Sequence, residues 1–157
     1  MKRAAPLFLA ATAAGALVGL TLPVHAAADG AAVYGRCAAC HTKTGAGVPG
    51  VFPPLGEDFR VMAASDAGRR YLALVVTRGI SGPIKVGGKP YAGVMPAQAT
   101  LDDASVAAVL NHVGTEIAKT GPAFKPFAEA EVAALRAGGA RLSAQDVGKL
   151  HASAGGQ

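Results

Sequence analysis

The chain has 157 residues, a length typical of one domain with a small appendage. Its apolar content of 51% excludes a globally disordered chain, and two cysteines are too few for a disulfide framework or a four-thiolate metal site. The formal charge of +5 comes from scattered basic residues without interleaved aromatic residues, so we expect no nucleic-acid binding.

The N-terminal segment has the three parts of a secretory signal peptide. A basic start at Lys2 and Arg3 precedes an apolar run over 7–22, and small residues then allow cleavage after Ala26 or Ala28. The run is shorter than the ~20 apolar residues that a spanning helix needs. We therefore predict a signal peptide over 1–28, a mature chain without a spanning segment, and a periplasmic location.

The strongest motif is Cys37-Ala38-Ala39-Cys40-His41, which follows a predicted short helix over 29–36. A thioredoxin-like dithiol would need a preceding strand, and a zinc site would need further ligands, whereas the later histidines are 71 and 110 residues away. Covalent c-type haem attachment remains the favoured interpretation. Two thiols bind the haem vinyl groups and the adjacent imidazole binds the iron.

The chain resembles a class I c-type cytochrome over roughly 30–120. The resemblance implies one covalent haem c, bound through Cys37 and Cys40, with His41 as an axial iron ligand. It also implies that a Pro-x-Leu element follows this histidine by twelve residues, which corresponds to Pro53-Pro54-Leu55. By the same resemblance, the Pro53 carbonyl accepts the other ring N–H of the histidine and Leu55 packs on the haem.

The middle of the chain contains a helix and then a segment rich in glycine. Helical periodicity predicts a helix over 65–77, and Met62 before it is expected to fill a core gap. The segment 79–91 has the composition of a loop that wraps the cofactor. Three nearby side chains are candidate partners of the haem propionates: Arg78, Lys85 and Tyr91.

Met95 is the predicted second axial ligand. A thioether suits low-spin haem iron, and Met95 lies between Gly93 and Pro96 in a short segment 54 residues after His41. His112 is the rival ligand, but it falls within the predicted helix over 101–118, on a polar side. In the family this last helix crosses the first one, here near Val33 and Tyr34.

The sequence divides into the signal peptide, a cytochrome c domain over 29–120 and a C-terminal extension over 121–157. The extension shows two short helical patches, 128–137 and 143–152, with too few large apolar residues for a second core. We expect it to lie on the main domain or to be mobile at its end, with His151 exposed to solvent.

We predict an all-α fold, with three to five helices and long loops around one haem. The predicted function is periplasmic electron transfer, with a dehydrogenase as donor and a terminal oxidase or another cytochrome as acceptor. The alternatives are a haem enzyme or gas-binding cytochrome with an open distal site, and a subunit of a larger oxidoreductase. Four basic residues are expected near the exposed haem edge, where they would steer acidic partners: Arg36, Lys43, Lys85 and Lys89.

Overall fold

The computed structural model describes residues 28–56 and 58–157, so the predicted signal peptide lies outside the described residues except for Ala28. Helices predominate, which confirms the predicted class, but the described residues form seven α-helices where three to five were predicted. Within the described ranges the α-helices are α1 Gly30–Tyr34, α2 Ala38–His41, α3 Phe59–Ala63, α4 Asp66–Arg78, α5 Asp103–His112, α6 Glu129–Gly138 and α7 Ala144–Ser153. None of these helices has the length and apolarity needed to cross a bilayer.

The two long helices of the cytochrome region begin at polar caps. Ser65 accepts a hydrogen bond from the Gly68 N–H at 3.1 Å and starts α4, while Asp102 accepts from the Ser105 N–H at 2.8 Å and starts α5. After α5 the chain continues through a π-helical turn, Val113–Ile117. The helices predicted over 65–77 and 101–118 are therefore present, the second with a looser final turn.

The first helix crosses α5 at close range. A Cβ at Gly30 would collide with the Ala108 carbonyl, so a glycine is needed where the two backbones meet. Tyr34 is 4% exposed, and its ring lies 5.3 Å from that of His112 on α5. The buried aromatic residue at this crossing is thus Tyr34, whereas Val33 is only partly buried.

The segment 79–91, predicted to be a loop, instead forms most of an antiparallel hairpin. Strand β1 Ile80–Val86 pairs with β2 Lys89–Met95, from Ile80 opposite Met95 to Val86 opposite Lys89. Gly87 and Gly88 form the turn with φ of 58° and 73°, which suits a two-residue hairpin loop. The glycines and prolines within the strands hide the alternation by which strands are usually recognised.

The C-terminal extension packs on the rest of the molecule. Helix α6 contacts α4 and α5, and α7 contacts α4 and β1. Val132 on α6 and Val147 on α7 are fully buried, and both belong to the same hydrophobic core as the buried residues of α4 and α5. Small apolar residues are sufficient to dock these two helices, because each helix adds only one apolar face to a core that it shares with the other helices.

Arg69 on α4 is the main polar connection to the extension. Its guanidinium, 6% exposed at the residue level, donates to both carboxylate oxygens of Glu131 at 2.5 and 2.7 Å and to the Lys125 carbonyl at 2.9 Å. It also lies 3.7 Å from the ring centroid of Phe127. Such a paired and stacked arginine fixes the position of the chain that it contacts.

Two further arginines make similar connections. Arg78 donates through Nε and Nη2 to the Leu142 carbonyl at 2.9 and 2.8 Å. Arg136 donates to the Asp103 carboxylate at 2.8 Å and to the Leu101 carbonyl at 2.6 Å. The extension is therefore hydrogen-bonded both to the end of α4 and to the start of α5.

Candidate functional site

A largely apolar cavity lies between the helices and the hairpin, and the cysteine–histidine motif forms part of its lining. Cys37 precedes α2, and Cys40 and His41 are within it, so all three side chains come from one helical turn. The two cysteines form no disulfide with each other, and both are half-buried. Burial raises the pKa of the Cys37 thiol, with the nearby Arg36 guanidinium opposing that shift.

The imidazole of His41 is held in a defined orientation. It is 7% exposed, and its Nδ1 lies 2.9 Å from the Pro53 carbonyl oxygen, the residue that the resemblance implied. The Nε2 atom makes no hydrogen bond with the residues that the structure describes. Because Nδ1–H is bonded to the carbonyl, the tautomer leaves the Nε2 lone pair available to a metal ion.

The loop between the histidine and Pro53 is closely packed at Gly47. Gly47 has φ of 64°, and a Cβ there would collide with the Pro53 carbonyl group. Its N–H donates to the His41 carbonyl at 3.0 Å, which brings the two ends of this loop together. Burial lowers the pKa of His41, while the hydrogen bond to Pro53 acts in the opposite direction.

Met95 reaches the same cavity from the end of β2, and it is partly buried. The backbone around it is closely packed, because a Cβ at Gly79 would collide with the Met95 carbonyl. Just beyond it, the Gln98 N–H donates to the Val76 carbonyl at 2.8 Å and anchors the following turn to α4. The structure thus brings Met95 and His41 to one cavity.

Met62 also lines the cavity, as well as belonging to the core as predicted. It lies on α3 and is 6% exposed. Both methionines after Met1 therefore line the cavity, and each brings a thioether sulfur to it.

The remaining predicted neighbours of the haem separate into two groups. Leu55 and Tyr91 line the cavity, and Tyr91 is 5% exposed. Arg78 does not line it, because its guanidinium is turned to the Leu142 carbonyl of the extension. Lys85 is exposed on β1 and is also outside the lining, so neither basic candidate is placed at the haem by this fold.

The two later histidines lie in different environments. His112, the rival ligand, is outside the cavity lining and stacks on Tyr34. His151, which we expected to be exposed, is 4% exposed and lines the cavity. The prediction for His151 was wrong because α7 buries the side on which it lies. Its spacing from Val147 and Ala154, at helical intervals on one face, was the available signal.

The cavity fits a flat, mainly apolar macrocycle that carries a metal ion. Its wall is largely apolar, and it offers two thiols, an imidazole nitrogen and a thioether, the groups used in c-type haem ligation. Over the ranges that the structure describes, no three His, Cys, Asp or Glu side chains form a metal-binding group, which disfavours a zinc site. The element before the motif is helix α1, which disfavours a thioredoxin-like dithiol.

Comparison with known proteins agrees with this geometry. The family model described as Cytochrome c matches residues 27–116. A cytochrome c-552 from Thermus thermophilus is 46% identical over 139 residues, covering 87% of this chain and 88% of the relative. Another Thermus thermophilus cytochrome c-552 is 48% identical over 112 residues, covering 70% and 86% of the two chains. The chain therefore belongs to the cytochrome c family of electron carriers, and its cofactor is a covalent haem c.

Proposed function

We propose that this cytochrome is a periplasmic one-electron carrier whose iron is held by His41 and Met95. It would accept electrons from a periplasmic dehydrogenase and pass them to a terminal oxidase or another cytochrome. The observation that carries the proposal is the placement of Cys37, Cys40 and the oriented His41 imidazole along one apolar cavity that Met95 also reaches.

Bound haem c supplies one-electron chemistry through its ferric and ferrous states. The chain contributes the surroundings that set how readily the electron moves. The Pro53 carbonyl orients the His41 ring and increases its donor strength, while the Met95 thioether favours ferrous iron. The apolar wall excludes water, so little solvent has to reorganise when the charge changes.

Ligand replacement tests this assignment. In Met95→Ala we expect covalent haem to remain, the reduction potential to fall, and the iron to become open to cyanide or carbon monoxide. Met62→Leu is the matched control, since it changes another cavity methionine with little change in volume. The weak charge-transfer band from methionine sulfur to ferric iron should be lost in the first variant and kept in the second.

Two outcomes would contradict the proposal. If the charge-transfer band survives in Met95→Ala and vanishes in Met62→Leu, Met62 is the ligand. If the unaltered protein lacks the band and binds carbon monoxide readily, the site is open, and a gas-binding cytochrome or haem enzyme becomes the better interpretation.

The surface beside the cavity supports direct contact with a redox partner. Val51 and Val94 line the cavity yet are 54% and 72% exposed, so an apolar surface borders its opening. The four basic residues named above are exposed as well, and they would speed encounter with an acidic partner. We expect the rate of electron transfer to a physiological partner to fall as ionic strength rises. A rate independent of salt would instead favour docking through the two valines.

The periplasmic location and the partners rest on the N-terminal sequence and on the function as a carrier. The mass of the purified protein should equal the chain cleaved after Ala26 or Ala28 plus one haem. A mass that retains residues 1–28 would contradict export with cleavage. Purification from native membranes and periplasm should yield the free carrier, whereas stable co-purification with a dehydrogenase would identify it as a subunit of a larger oxidoreductase.

A further inference from the structure

His151 connects the C-terminal extension to the cofactor cavity. It lies on α7, beyond residues 27–116 that match the cytochrome c family model. Its imidazole is 4% exposed, lines the cavity, and meets the ring of Tyr71 edge-on at 5.2 Å. A residue from outside the family's common region is thus placed where the haem is bound.

The position of the imidazole is determined by its neighbours. A Cβ at Gly156 would overlap the His151 ring, so the ring packs directly on the backbone that follows α7. The Gly156 N–H donates to the His151 carbonyl at 3.0 Å and closes the end of this helix. Tyr71 covers another side of the ring from α4. The side chain is therefore held toward the cavity by packing from both elements.

The polar atoms of His151 and Tyr71, like the hydroxyl of Tyr91, differ from those of Tyr34 and His41, which also line the cavity. Tyr34 donates its hydroxyl to the Thr42 carbonyl at 2.8 Å, and His41 is bonded to Pro53. By contrast, neither the ring nitrogens of His151 nor the Tyr71 hydroxyl form a hydrogen bond with any residue that the structure describes. Among the described residues no fully enclosed side-chain nitrogen or oxygen lacks a partner, so these atoms are accessible where the two side chains line the cavity. They are therefore available to a polar group on the cavity's occupant.

The chemistry of that polar group follows from the cofactor. The periphery of a haem is hydrocarbon except for its two propionate carboxylates, which accept hydrogen bonds. Asp58 also lines the cavity and acts electrostatically on His151, and its Oδ2 accepts from the Gln157 N–H at 3.1 Å, but neither His151 nor Tyr71 forms a hydrogen bond with it. A haem carboxylate is therefore the acceptor available to the donors of His151 and Tyr71.

We propose that His151 and Tyr71 bind a propionate of the haem, so that the C-terminal extension completes the cofactor site. The inference rests on the proposed function, because it requires haem in this cavity. Hydrogen bonds to the propionate offset part of its negative charge, which otherwise stabilises ferric iron. Removing the donors should therefore lower the reduction potential without affecting covalent attachment.

The test uses four variants of the haem-loaded protein. His151→Phe keeps an aromatic ring but removes both nitrogens, His151→Gln keeps a donor, and Tyr71→Phe removes only a hydroxyl. His112→Phe is the matched control, because this imidazole stacks on Tyr34 outside the cavity lining. We expect His151→Phe and Tyr71→Phe to lower the potential, and the other two variants to retain it.

Proton magnetic resonance of the ferrous protein provides a readout that does not depend on stability. Through-space contacts are expected between the ring protons of His151 and the propionate methylene protons. The inference is overturned if such contacts are absent, or if His151→Phe and Tyr71→Phe have the same potential as His112→Phe. If the unaltered protein carries no covalent haem, the proposed function itself fails. Intact haem with unchanged potentials removes only the role of His151 and Tyr71.

Discussion

The cytochrome region over 29–120 and the C-terminal extension over 121–157 contribute to the same cavity through different kinds of structure. In the first region, five contiguous residues, 37–41, bring two thiols and an imidazole to the cavity from a single helical turn. In the second, His151 reaches the cavity only because α7 packs on α4 and β1. The comparison indicates that cofactor attachment depends on local chain geometry, whereas closure of the site depends on contacts between distant segments.

The difference extends to how each region is stabilised. The loop that supports His41 is held by its own backbone, through Gly47 and Pro53. The extension is held instead by arginines that cross from one region to the other, Arg69 above all. Substitutions should therefore separate cofactor attachment from docking of the extension.

The largest effect should come from the attachment motif. Replacing Cys37 and Cys40 together with serine removes both sulfur atoms that bond to haem, so we expect complete loss of covalent attachment. Acid–organic extraction followed by mass measurement checks this. Val147→Ala, which alters only the extension, is the control and should keep the haem attached. Haem that resists extraction in the double variant would refute the attachment through these thiols.

The next largest effect should come from Arg69. Arg69→Met leaves the Glu131 carboxylate and the Lys125 carbonyl without their buried donor, so the free energy of unfolding should fall by about 3 kcal/mol. Denaturant titration measures this free energy of unfolding. Arg69→Lys keeps the charge but not the two-pronged geometry, and it should recover only part of the loss. An unchanged unfolding free energy in Arg69→Met would show that the extension docks without this network.

Truncation of the buried valines should have a smaller effect. Val132→Ala and Val147→Ala each remove two methyl groups from fully buried positions, and each should lower the unfolding free energy by about 2 kcal/mol. Val94→Ala, at a position that is 72% exposed, is the control and should change it by less than about 0.5 kcal/mol. Equal effects at all three positions would contradict a shared core.

The smallest effect is expected from the Glu131 carboxylate, whose side chain is one-third exposed. The hydrogen bond from Arg69 lowers the pKa of the Glu131 carboxyl below its ordinary value of about 4.5. The pair therefore stabilises the fold at pH values above that ordinary pKa. The contribution is lost as the pH falls through the lowered pKa. The free energy of unfolding, measured between pH 7 and 3, should fall more steeply for the unaltered chain than for Glu131→Gln. Parallel curves would exclude a role for this carboxylate.

Much of the cytochrome region could be predicted because its signals are local. The cysteine–histidine spacing and the helix beginnings at Ser65 and Asp102 depend on atoms a few residues apart. The hairpin was missed because Gly82, Pro83 and Gly93 remove the alternation of apolar residues within its strands. Arg78 was misplaced for a different reason: a long charged side chain can turn either way, and the Leu142 carbonyl that receives it belongs to a distant segment.

The sequence by itself determined the family, the covalent haem and the predominance of helices, because each depends on residue types at short, fixed spacings. Only the tertiary structure decided which of the two later histidines lines the cavity. His112 and His151 both lie on helices, and a helical pattern shows which residues share a face but not what that face packs against. The packing of α7 on α4 and β1 buries His151 beside Tyr71, whereas the crossing of α1 and α5 places His112 against Tyr34.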